Sequence, residues 1–149
     1  MRHSPLLAVI LGIACFACGG HSQDLDEVVE VAQTGASVKV RQDACMQIAE
    51  VGGDQAVEVL IGFLDDDVLW YCAAHSLGQL RDSRAVEPLL AHAENGERAT
   101  KMVWAVGEIR DPRALDKLEA LDRSLRPSTE QEKRLKSAIA EAISKIREG

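Results

Sequence analysis

The chain repeats itself. "AAHSLGQLRDSRAVEPLL", residues 73–90, is echoed by "MVWAVGEIRDPRALDKLEA", residues 102–120. Leu77-Gly78 lies over Val106-Gly107, Arg81-Asp82 over Arg110-Asp111, and Ala85-Val86 over Ala114-Leu115, each pair 29 positions apart. A further step of 29 brings Ile48-Ala49 and Ala56-Val57 into the same frame. Three units therefore run without insertion at about 38–67, 68–97 and 98–125. A fixed period of this length marks a stacked repeat, because each unit is too thin to hide its own apolar face and must borrow its neighbours'.

Each unit carries two apolar stretches at helical spacing. In the second unit, about Trp70 to Leu80 places Ala73, Ala74, Leu77 and Leu80 on one face, and about Arg84 to Ala93 turns Ala85, Val86, Leu89 and Leu90 inward. Aromatic residues make up only 3% of the chain, which disfavours strands. "GQLRDSR" turns the chain between the helices. Asp82 and Asp111 can cap the second helices, Pro112 suits a first helical position, and Pro88 falls in a first turn where its missing N–H costs little. The stack needs end caps. "DLDEVVEVAQTG" gives one short amphipathic helix with Leu25, Val28, Val29 and Ala32 inward and Gly35 ending it. At the other end, Ser128 or Thr129 followed by Gln131 or Glu132 makes a capping box for a helix over about 128–147, with Leu135, Ala138, Ile139, Ala142, Ile143 and Ile146 as its apolar stripe. The expected fold is all-α: a short α-α superhelix of three helical hairpins plus N- and C-terminal capping helices.

The frame Ala73-Ala74, Leu77-Gly78, Leu80, Asp82, Ala85-Val86 and Pro88-Leu89, repeated in the other units, resembles the HEAT-like repeats first known from phycobilin lyases, a subgroup of the HEAT and armadillo α-solenoids. The resemblance covers about 90 of 149 residues. The family's Val-Arg opening is clear at Val40-Arg41, whereas unit two has Leu69-Trp70 there and unit three Arg98-Ala99, and unit one has Gly53 where Asp stands in the others. The resemblance implies a protein-binding scaffold more than any reaction.

The N-terminus, "MRHSPLLAVILGIACFACGG", joins Arg2 to an apolar run from Leu6 to Ala17, the length of a signal-peptide core and too short to span a bilayer. It resembles a bacterial lipoprotein signal. The pattern prefers Leu three residues before the lipidated cysteine; Cys18 has Cys15 there and Cys15 has Gly12. Cys18 is preferred because it leaves the longer apolar run and precedes Gly19-Gly20, with ordinary secretion and cleavage near Ala17 as the alternative. The domain reading is a signal peptide at 1–17, a tether at 18–23 and a repeat domain at 24–149. Gly19 is not the aspartate that retains many such lipoproteins at the inner membrane, so the resemblance implies the outer membrane, facing the periplasm.

Chemistry is sparse. The net charge of −7 argues against a nucleic-acid partner, which needs a basic face to displace counterions. Of the histidines, His3 leaves with the signal, His21 lies in the tether and His92 shares a core-edge column with Phe63 and Leu121. No phosphate loop, nucleophile elbow or two-histidine metal helix appears, so no catalytic residue is assigned. Cys72 and His75 are three apart on one helix, but two ligands do not close a metal site. Cys45 maps onto Ala74 and Cys72 onto Asp43; frames two positions apart on helices about 9 Å apart argue against a disulfide.

Two surface features remain. Glu58, Glu87 and Asp116 share a column on the second helices, either a solvated rim or a row for a basic partner. Met46, His75 and Trp104 share an outward column on the first helices, with Tyr71 one turn before His75. Tyr71, His75 and Trp104 are thus a candidate binding patch, unless the rings lie flat on neighbours or a terminal helix covers them. The expected function is an envelope-anchored, non-catalytic scaffold for an unknown protein partner, without cofactor or metal and with membrane contact through its N-terminal lipid alone. The alternatives are an accessory or lyase-type protein handling a tetrapyrrole or similar cofactor, and a structural module without a partner.

Overall fold

The structure, a computed structural model, describes residues 25–93 and 98–149. The expected signal peptide and tether, with Cys15, Cys18, His3 and His21, lie outside them. The described residues form eight α-helices and no strand: α1 (Leu25–Thr34), α2 (Val38–Val51), α3 (Gly53–Gly62), α4 (Trp70–Leu80), α5 (Val86–Ala93), α6 (Ala99–Ile109), α7 (Leu115–Ser124) and α8 (Glu130–Glu148). Their order makes two layers. In the first, α1 packs on α2, α2 on α4, α4 on α6, and α6 on α8. The second helices α3, α5 and α7 lie behind them. The C-terminal helix therefore fills the place a fourth first helix would take.

The repeat frame is also the packing frame. Ile48, Leu77 and Val106 have no exposed surface and occupy equivalent interior positions on α2, α4 and α6. Ala56, Ala85 and Ala114 do the same on the opposite layer, where their small size lets it approach. One apolar core runs from Val28 to Ile146. The end caps match the sequence: Val28 and Ala32 of α1 are buried, and Thr129 and Glu132 close a reciprocal capping box at α8. The Glu132 carboxyl is held at about 2 by the amides of Thr129 and Ser128.

The turns between paired helices show what the sequence conceals. Residues 52, 81 and 110 occupy the same place after each first helix, and all have positive φ: Gly52 at 69°, Arg81 at 54° and Arg110 at 59°. Unit one uses glycine; the other two force arginine into a left-handed conformation. Each arginine precedes an aspartate that begins the next helix. Asp82 accepts from the Arg84 amide and Asp111 from the Arg113 amide, both at 2.9 Å, capping 3-10 turns at Ser83–Ala85 and Pro112–Ala114 that lead into α5 and α7. Gly53 cannot cap, and α3 starts without a side-chain cap. Arg81→Gly is expected to stabilise the protein by about 0.5–1 kcal/mol, because glycine adopts this φ without steric conflict. A chemical denaturation midpoint that falls instead would contradict this account of the turn.

Asp66 fixes the start of α4. Its Oδ1 accepts from the amides of Val68 and Leu69 at 2.7 and 2.9 Å, and its Oδ2 accepts from Arg41 Nη2 at 2.9 Å. Arg41 Nε also donates to the Ala32 carbonyl at 2.8 Å, so one side chain ties the end of α1 to the start of α4. Burial works against the Asp66 charge, but these donors hold its carboxyl below the ordinary range. In unit three Arg98 takes a related position, donating to Asp67 at 2.6 Å with its guanidinium 5.0 Å from the Trp70 ring.

Candidate binding surface

The first-helix layer has an outer side, and the repeat register decides what it shows. Met46 on α2 is 47% exposed and Tyr71 on α4 55% exposed, where globular proteins seldom leave large apolar groups in adjacent units. His75 and Trp104, in the Met46 column, are half-buried. Their rings stack at 5.1 Å between centroids and 15° between planes, joining α4 to α6.

The organising residue is Lys101, which the sequence reading did not single out. Its Nζ lies 3.6 Å from the centroid of Trp104 and 4.7 Å from that of Tyr71, and 3.1 Å from His75 Nδ1. Lys101 occupies the register position of Cys72 and Asp43, which on α6 points back at α4. A cation over two ring faces is attracted by their quadrupoles. As an ammonium it can only donate, so His75 accepts through Nδ1 and carries its proton on Nε2. Burial lowers the Lys101 pKa, with the Glu108 charge opposing. Glu108 is in turn held ionised by Lys145 of α8 at 2.7 Å. His75, Gly78, Gln79, Arg81, Trp104 and Glu108 line an open depression beside the rings.

Burial, and then the Lys101 charge, push His75 below the usual histidine value of 6.5, against a smaller pull from Glu108. The folded state therefore favours neutral His75. Its contribution is present above the ordinary histidine pKa and is lost as pH falls through the lowered one. NMR titration of His75 is expected to give a midpoint below 6.5, with the Trp104 fluorescence of a Trp70→Phe protein changing over the same range. A midpoint at or above 6.5 would contradict the Lys101 contact.

Tyr71, His75 and Trp104 thus come together as the register requires, though not as three free rings. Trp104 lies on His75, under Lys101 and beside Ala138, Glu141 and Ala142 of α8. Removing it would disturb packing as well as surface, so Tyr71 is the cleaner test position. Glu58, Glu87 and Asp116 are all exposed but lie on α3, α5 and α7, in the other layer, and do not share a site with the rings. Glu87 pairs with Lys117 of α7. His92 sits at the core edge, 3.6 Å from Asp65.

Cys72 and His75 diverge: Cys72 is buried against α2, while His75 faces Lys101 and Trp104. Among the described residues no group of three or more His, Cys, Asp or Glu could hold a metal ion. None of their helices is long and apolar enough to cross a membrane.

The fold defines a class, a stacked helical-repeat scaffold. A family model for HEAT repeats matches residues 25–101, slightly more than half of the chain, and the protein belongs to that family. No curated protein matches it. Among solved structures, it is similar to human deoxyhypusine hydroxylase in complex with glycerol, at 20% identity and a TM-score of 0.69. That match covers 97% of this chain and 47% of the other, so the chain spans about half the length of that neighbour. The likeness shows the fold alone. It nevertheless corrects one expectation: the architecture was read as that of a protein that is not an enzyme, yet the neighbour is a hydroxylase on the same stacked frame. The repeat supplies no ground for excluding catalysis. The HEAT-repeat match is to the family as a whole and does not reach the phycobilin lyase subgroup.

Proposed function

We propose that the protein is an envelope-anchored scaffold that holds a protein partner against the face built from Tyr71, His75, Lys101 and Trp104. The cation-capped ring cluster carries this reading. Aromatic side chains are scarce in the sequence, yet here three rings from two units meet under one lysine. Such a surface suits a partner segment with an apolar side chain to lay against Tyr71 and an acidic group to approach Lys101. The carboxylates Glu58, Glu87 and Asp116 offer a second, acidic face on the opposite layer. Anchoring through Cys18, with the domain outside the cytoplasmic membrane and on the periplasmic face of the outer membrane, rests on the lipoprotein-like N-terminus.

Two experiments test the proposal. A photoreactive residue at position 71 is expected to give a discrete cross-linked adduct in envelope preparations, and one at Ser137, an exposed position on α8, is not. Equal labelling from both positions, or from neither, would remove the ring face as the docking surface. Feeding cells an alkyne-tagged fatty acid is expected to label the intact chain. Cys18→Ser should abolish that label while Cys15→Ser keeps it; an unlabelled intact chain would overturn the anchor.

A further inference from the structure

Cys45 and Cys72 are the buried nucleophiles that the binding face does not use. They sit on neighbouring first helices, Cys45 with no exposed surface and Cys72 with 6%. Both are free thiols. Gly78 of α4 abuts Ala105 of α6, 27 positions further on, and the same step from Cys45 of α2 reaches Cys72 of α4. The Cys72 S–H donates to the Leu69 carbonyl at 2.9 Å. The two-position offset between their frames does not keep the two cysteines apart, for a geometric reason. Two residues along an α-helix are about 200° round its axis, so positions two apart point to opposite sides. In a stack one side faces the unit ahead and the other the unit behind. Cys45 looks forward from α2 and Cys72 looks back from α4, and the offset is what makes them meet.

We propose that Cys45 and Cys72 form an oxidisable pair whose disulfide staples the first repeat to the second. The roles of the two sulfurs differ. Cys72 is in the first turn of α4, where the helix N-terminus favours a thiolate, and it alone of the two has exposed surface; on ionising it gives up its bond to the Leu69 carbonyl. Cys45 keeps its proton, held there by the Cys72 sulfur facing it and by full burial. Cys72 is therefore the attacking sulfur and Cys45 the resolving one.

With 6% of Cys72 exposed, the oxidant must be small, and a hydroperoxide fits. With hydrogen peroxide, the Cys72 thiolate attacks one oxygen. An S–O bond forms, the O–O bond breaks, and hydroxide leaves and is protonated to water. The Cys45 sulfur then attacks Cys72 Sγ. The S–S bond forms, the S–O bond breaks, and the departing hydroxide takes the Cys45 proton. Two thiols are oxidised and one peroxide is reduced to two waters.

The test uses the intact chain, reduced, exposed to hydrogen peroxide, then unfolded and blocked with a maleimide, digested and mapped by mass spectrometry. The expected product is a Cys45–Cys72 linked peptide, about 2 Da below the sum of its thiol forms and released by dithiothreitol. The oxidised protein is expected to melt about 5–15 °C above the reduced one. In Cys45→Ser, dimedone added as the peroxide-treated chain is unfolded should trap Cys72 as the sulfenic acid, whereas the intact chain will already have resolved it to the disulfide. The proposal is overturned if both cysteines take up maleimide after peroxide as they do before, if either links instead to Cys15 or Cys18, or if dimedone labels the intact chain as fully as the variant. Should Cys45→Ser fail to fold, the linked peptide from the intact chain decides alone.

Discussion

Gly107→Leu is expected to lower stability by about 3 kcal/mol or more and to free α8 from the stack. A β-carbon built on Gly107 would stand 2.9 Å from both Cα and Cβ of Ala142. Both atoms belong to the backbone or its first carbon, so no rotamer change can relieve the contact and the helices must separate. Gly78 makes the same approach one unit earlier, where its β-carbon would stand 3.2 Å from the Cα of Ala105 and from Cζ3 of Trp104. There a shift of a few tenths of an ångström suffices, and Gly78→Ala should cost less than Gly107→Ala. Gly62 supplies the control: nothing lies within 4 Å of its β-carbon, and Gly62→Ala should gain about 0.5–1 kcal/mol through helix propensity. Urea denaturation, with hydrogen exchange read over residues 130–148, distinguishes the cases. If Gly107→Leu leaves α8 as protected as before, the close crossing is not what seats it.

Leu77→Ala is expected to cost about 2–5 kcal/mol, a large share of the stability of a domain this size. Leu77 has no exposed surface and sits in the middle unit, so its cavity would be walled by both neighbours. Ile48→Ala should fall in the same range, and Val106→Ala lower because fewer carbons are removed. The substitutions lie in one contiguous stack, so the double variant Ile48→Ala/Leu77→Ala should depart from additivity. Loss of less than 1 kcal/mol on Leu77→Ala would mean that the repeat frame is not the packing frame.

The helices were legible because their signals are local. The span Trp70–Leu80 follows from its apolar spacing, and the Thr129–Glu132 box from four consecutive residues. The common berths of Ile48, Leu77 and Val106 followed from the period. The candidate surface was half legible. Counting round the helix placed Tyr71, His75 and Trp104 on one outer side, but not the lysine that covers them. Lys101 could have been found by asking which residue of each first helix points back at the preceding one, since that position holds Asp43, Cys72 and Lys101 in turn. The same question would have brought Cys45 and Cys72 together instead of setting them apart. The left-handed turns at Arg81 and Arg110 carried a single clue, the glycine at position 52 in unit one.

The sequence by itself determined the unit, its length, its two helices and the side each turns inward, because hydrophobic periodicity and capping act within a few residues of the chain. Only the tertiary structure decided which faces of successive units touch: that α8 would serve as a fourth first helix, that Lys101 would lie across Tyr71 and Trp104, and that two thiols on opposite sides of their helices would end up partners. Those outcomes depend on how closely and at what rotation one rigid hairpin settles on the next. That is set by the packing of side chains such as Gly107 against Ala142, a relation between distant residues that no local pattern records.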